Sequence, residues 1–144
     1  MGRIAGPLVD LEPLQEVLAA AARQAVPITL QVTGLGVTEE YFRTLFVAFA
    51  DDPALRRLYD AVKGALACDA GYRLEPHLSL LYAELPLAAK EMAARTIGLD
   101  RDRIRFDELQ IVTPENLSDG WRDTKRWRIL FRVRLGEKPM REDP

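Results

Sequence analysis

An element order written twice is the strongest constraint on how this chain can fold. Between residues 11 and 24, Leu14, Val17, Leu18 and Ala21 recur at helical spacing, with Pro13 tolerable only in the first turn. Residues 27–32 alternate as a strand through Ile28, Leu30 and Val32, and Gly34-Leu35-Gly36 is expected to break it. Residues 41–49 are aromatic and apolar enough for a mostly buried strand. Asp51-Asp52-Pro53 then opens a helix to about residue 67, with Leu55, Leu58, Val62 and Leu66 on one face. The order returns in the second half as a strand over 77–82, an alanine-rich helix over 87–97, and strands over 104–112 and 126–135.

Segments also align across the halves. Phe42-Arg43-Thr44-Leu45-Phe46 resembles Trp127-Arg128-Ile129-Leu130-Phe131, and the helix from Leu14 matches the helix after Leu85. The second half thus reads strand–helix–strand–strand and the first helix–strand–strand, its opening strand missing or vestigial. In register, Leu80 falls opposite Ile4, Ser79 opposite Arg3 and His77 opposite Met1. A tandem repeat of this kind implies two lobes about a pseudo-twofold axis. The expected fold is α+β: two pseudo-symmetric lobes of antiparallel sheet with outer helices and a central cleft. Residues 1–144 form one bilobal domain, with lobe one over about 1–68, lobe two over about 69–136, and a polar, frayed tail over 137–144. A first lobe short of its opening strand exposes a sheet edge or a bare helix face. Exposed edges promote association, so a homodimer is expected.

Composition narrows the function classes. At 144 residues, 48% of them hydrophobic and 29% charged, the chain has the balance of a soluble globular domain. Its net charge of −2 argues against generic nucleic-acid affinity, and no aromatic–basic RNA motif appears. Cys68 is the single cysteine and His77 the single histidine, which excludes an intramolecular disulfide and a structural zinc site, and points to a reducing cytoplasm. No apolar run approaches the ~20 residues that span a bilayer, and the start of the chain has no signal-peptide core. Neither a metal nor a cofactor is expected. Gly34-Leu35-Gly36 lacks the rest of a dinucleotide fingerprint and is assigned to a loop.

The chemistry concentrates in Glu75-Pro76-His77-Leu78-Ser79-Leu80-Leu81-Tyr82. Alternation along a strand puts His77, Ser79 and Leu81 on one face, and turns Leu78 and Leu80 toward the covering helices. An imidazole can take or give a proton, and a neighbouring hydroxyl can donate to a phosphoryl oxygen. That pair suits phosphodiester cleavage without a metal, but serves only one side of an in-line displacement. A second proton-transfer group is needed opposite. In residues 126–134, Arg126, Arg128, Arg132 and Arg134 are expected on one face and Trp127, Ile129, Phe131 and Val133 on the other. Most of those arginines suit a solvated sheet face. Arg43 and Arg128, at equivalent repeat positions, are the best candidates to attract an anionic substrate. Glu39-Glu40 and Asp51-Asp52 are assigned to turns and helix caps, and residues 113–124 to a polar loop at the cleft rim.

His77-Leu78-Ser79-Leu80-Leu81-Tyr82, with Pro76 and Gly71-Tyr72 before it, resembles the second motif of the 2H phosphoesterase superfamily. Within that superfamily the chain is most similar to the branch that opens 2′,3′-cyclic phosphates. Tyr41-Phe42-Arg43-Thr44-Leu45-Phe46 resembles the aromatic strand of its first lobe. The resemblance implies a metal-independent phosphoesterase acting on a 2′,3′-cyclic nucleotide or similar small cyclic phosphodiester. It implies His77 as one proton-transfer residue, Ser79 as a phosphate ligand and Tyr82 as a cleft-lining residue. The first His-x-Thr motif of the family has no counterpart, its place falling on residues 1–3. Three accounts are open: a true start upstream, a degenerate domain that binds a nucleotide or phosphate without cutting it, or a homodimer pairing two His77 clefts.

Overall fold

The structure is a computed structural model and describes residues 11–65, 73–114 and 126–136. Their elements run α1 (Leu11–Gln24), β1 (Ile28–Val37), the 3-10 turn η1 (Tyr41–Arg43), β2 (Leu45–Phe49), α2 (Pro53–Ala65), β3 (His77–Leu81), α3 (Leu87–Thr96), β4 (Arg103–Phe106), β5 (Glu108–Thr113) and β6 (Arg128–Arg134). The fold is α+β. One curled antiparallel sheet has the order β3-β2-β1-β4, and a second, smaller sheet pairs β5 with β6.

Local sequence explains most elements. In α1, Leu14, Leu18, Ala21 and Ala22 share the buried face. The side chain of Asp52 caps α2, its Oδ1 accepting from the amides of Ala54 (2.8 Å) and Leu55 (3.0 Å), with Pro53 at the first helical position. Ile28 and Leu30 of β1, Val47 and Phe49 of β2, Ala21 and Ala22 of α1, Leu58 of α2 and Leu135 after β6 form one core cluster. Full burial of each large aliphatic or aromatic side chain there contributes about 1.5–3 kcal/mol.

Strand β1 is longer than expected. It continues through Gly34-Leu35-Gly36, which belongs to the ladder with β2, and the break is only a bulge between Val32 and Gly34, where Gly34 has φ +146°. The single strand expected over 41–49 divides into η1 and β2 at the fully buried Thr44. The strand expected over 104–112 divides at Asp107: β4 pairs with β1 in the large sheet and β5 with β6 in the small one. The Asp107 carbonyl accepts from the Leu135 amide at 2.8 Å, fixing the corner.

Two ladders join strands close in sequence or space as antiparallel pairs. Gly36 pairs with Phe46, Leu35 with Val47 and Gly34 with Ala48 in β1–β2. Ile111 pairs with Phe131, Gln110 with Arg132 and Leu109 with Val133 in β5–β6. The β1–β4 ladder joins the halves, running from Ile28↔Phe106 to Gln31↔Arg103. The large sheet therefore takes two strands from each half of the sequence. The expected opening strand at residues 1–3, Cys68, the boundary at 68/69, most of the 113–124 loop and the tail lie outside the described residues.

Two expectations about faces are corrected. Leu78 and Leu80 were expected to meet covering helices, yet they are 37% and 44% exposed, on β3 at the outer edge of the described sheet. The arginine stripe of β6 is split by an irregularity between Ile111 and Val112, where Val112 pairs with Ile129. That leaves Leu130 as the extra residue and moves Arg128, opposite Thr113, off the face shared by Arg132 and Arg134. Ile129, expected on the buried face, is 47% exposed.

Candidate functional site

His77 is placed by the β2–β3 ladder. It pairs with Ala48, and Ser79 with Phe46, so these four side chains rise from the same face of the sheet. Ala48 and Phe46 alternate with the buried Leu45, Val47 and Phe49, which puts His77 on the face opposite the helix-covered core. The His77 ring meets Phe46 edge to face at 5.5 Å, and Phe46 in turn lies under the Arg43 guanidinium at 5.2 Å. Gly36 forms the floor: a Cβ there would land inside the Phe46 ring.

The His77 ring is oriented by its own strand entry. Nδ1 lies 2.8 Å from the Glu75 carbonyl, an oxygen that can only accept, so Nδ1 carries a proton. In the neutral ring Nε2 is then the basic nitrogen, which no described residue engages. Pro76, between the two, holds the segment extended.

Around His77 opens a cleft of about 420 Å³. Its charged lining comprises Arg43 from η1, Asp51 before α2, Arg56 on α2, and Arg73 and Glu75 on the approach to β3. Arg43 Nη1 donates to Glu75 Oε2, and Arg56 Nη2 lies 2.6 Å from Asp51 Oδ1. The Arg43 hydrogen bond, and then its charge, hold the Glu75 carboxyl below the usual range; burial opposes them, and Arg73 and His77 add lesser contributions in the lowering direction. Arg43 Nε is buried with no hydrogen-bond partner, 4.0 Å from Glu40 Oε2. Among the described residues no group of three His, Cys, Asp or Glu side chains could hold a metal ion.

The structure brings His77 and Arg43 together in the cleft and separates the other sequence candidates from its lining. Ser79 spends its hydroxyl proton on the Phe42 carbonyl at 2.8 Å. Tyr82 stacks on Tyr41 at 6.5 Å and meets Phe42 edge-on at 5.7 Å. Leu81 was expected beside His77. It pairs with Leu45 instead, since an irregularity between Leu45 and Phe46 makes Leu80 the extra residue. Arg128 is exposed on β6 in the small sheet. Phe42, however, meets Trp127, the residue before Arg128, at 5.8 Å.

Residues without a sequence signal hold η1, and with it Arg43. Thr44 Oγ1 donates to the Ala83 carbonyl at 2.7 Å, Thr38 Oγ1 donates to the Arg43 carbonyl at 2.6 Å, and Lys90, 3% exposed, donates from Nζ to the Thr38 carbonyl at 2.8 Å. Glu75, Arg56 and Arg73 were likewise not singled out, because they come from a helix and a loop whose meeting no local pattern announces. No helix of the described residues is long and apolar enough to cross a membrane. In comparisons with known proteins, no family model matches the chain and no curated protein is similar to it.

Proposed function

We propose that this chain is a phosphoesterase of the 2H type, hydrolysing a 2′,3′-cyclic nucleotide or similar small cyclic phosphodiester. The carrying observation is the orientation of His77, whose Nδ1–H is tied to the Glu75 carbonyl so that Nε2 is the nitrogen left to move a proton beside arginines. Supporting it, β1–β2 and β5–β6 are both antiparallel ladders, and Phe42 and Trp127, at equivalent repeat positions, touch. Both fit two pseudo-symmetric lobes meeting at an aromatic seam.

In this mechanism the phosphoryl oxygens face Arg43 and Arg73, and His77 Nε2 takes the proton of the attacking water. The oxygen leaving on the far side of phosphorus needs a proton too. With water as its donor, turnover is slow; a second group on that side speeds it. Ser79 acts through position, holding η1 by the Phe42 carbonyl. A second reading, a domain that binds a nucleotide or phosphate without cutting it, is favoured by that committed Ser79 proton.

Phosphorus NMR of the purified chain with 2′,3′-cyclic AMP tests both. Ring opening that His77→Ala reduces at least a hundredfold, with the melting temperature unchanged, is the expected result. Binding without ring opening leaves only the second reading. Turnover equal in His77→Ala moves the chemistry elsewhere.

A further inference from the structure

The charges lining the cleft do not cancel. Arg56 is matched by Asp51 and Arg43 by Glu75, while Arg73 makes no direct ion pair among the described residues and acts on Glu75 only through its charge. With His77 neutral, the lining carries one net positive charge. A cyclic phosphodiester carries one negative charge; once water adds across a P–O bond and the ring opens, the phosphomonoester formed carries close to two above neutral pH. Glu75 is central to this balance. Its carboxylate shares the Arg43 guanidinium that an anion in the cleft would use, and its own carbonyl holds His77 Nδ1.

Taking the phosphoesterase reading as its premise, we infer that Glu75 sets the charge selectivity of the cleft: it admits a singly charged phosphodiester and disfavours a doubly charged phosphomonoester. The mechanism is electrostatic. Bound beside Glu75, a monoester meets one more repulsive charge pair than a diester does, and must compete harder for Arg43. The same repulsion helps expel the ring-opened product. Glu75 is thus a specificity residue acting through Arg43, distinct from His77, which meets the reacting atoms.

Two matched probes that do not depend on ring opening isolate the effect. Adenosine 3′-methyl phosphate carries one charge and adenosine 3′-phosphate two; both are titrated calorimetrically at about pH 8 and low salt into wild type, Glu75→Gln and Glu75→Asp. Wild type is expected to bind the diester at least as tightly as the monoester. Glu75→Gln should tighten the monoester about fivefold and the diester by no more than about twofold, a gain that shrinks as salt is added. Glu75→Asp keeps the charge and should keep the wild-type preference. A monoester-to-diester ratio unchanged in a folded Glu75→Gln protein overturns the inference, as does failure of wild type to bind either probe. Selective binding without hydrolysis of 2′,3′-cyclic AMP would instead retain Glu75 selectivity and remove the hydrolase; hydrolysis with an unchanged ratio would do the reverse.

Discussion

Gly36 offers a quantitative test of how the site is built. Its backbone lies outside the left-handed region, so an alanine could adopt it, and by itself Gly36→Ala would stabilise the fold by about 0.4–1 kcal/mol through the unfolded chain. The Phe46 ring reverses that sign. It covers the position a Cβ would take, and it is hemmed in by Arg43 above one face and His77 at an edge. Displacing a packed ring costs about 1–3 kcal/mol, so the net effect of Gly36→Ala is a loss of roughly 0.5–2 kcal/mol. Removing the ring separates the two contributions. In a Phe46→Ala background the clash is gone and Gly36→Ala should return to a small gain, giving a coupling of about 1–3 kcal/mol between the two positions. Urea denaturation of the four proteins measures it, with equal m-values required for the comparison. An equal cost in both backgrounds would mean that backbone strain, not the ring, requires glycine.

Thr44→Val keeps the shape of a fully buried residue but leaves the Ala83 carbonyl without its 2.7 Å donor, so it should lower stability by about 1–2 kcal/mol and speed amide exchange at Ala83. Thr44→Ser should restore both, and a neutral Thr44→Val would show that the clasp carries no net energy. For Glu75, Arg43 depresses the folded carboxyl below its ordinary value of 4.5, so the pair stabilises the fold above that pH and stops doing so as the pH falls through the depressed value. The gap in urea midpoint between wild type and Glu75→Gln should therefore close on acidification. It should be small throughout, since the Glu75 carboxyl is solvent-exposed, and a gap that widens in acid would contradict the sign.

Sequence periodicity located the helices and most of the strands, because Leu14, Leu18 and Leu58, or Leu45, Val47 and Phe49, repeat at the spacing of the face they bury. It also singled out His77 and Arg43, one through a motif and one through the internal match, and both line the cleft. It misread Gly34-Leu35-Gly36 because glycine ordinarily ends a strand, whereas here Gly34 makes a bulge and Gly36 makes room for Phe46. Bulges carry no compositional mark, so the extra residues Leu80 and Leu130 shifted Leu81, Arg128 and Ile129 to unexpected faces. Half of the cleft was illegible for a different reason. Arg56, Arg73 and Glu75 meet Arg43 only through tertiary placement, and the choice of Ser79 to donate to Phe42 is decided by a carbonyl 37 positions away.

Strand β1 gives its first four residues to β4 and its later ones to β2. Its link to the far half is long-range, as the bond from Gln31 Nε2 to the Asp102 carbonyl spans 71 positions. The β1–β2 hairpin can form early and cheaply, but the sheet that presents His77 is completed by partners that close long loops. Folding of this chain should therefore be slow for its size, with the large sheet assembled late. The cleft, lying between β2 and the approach to β3, comes into being only when β3 pairs with β2.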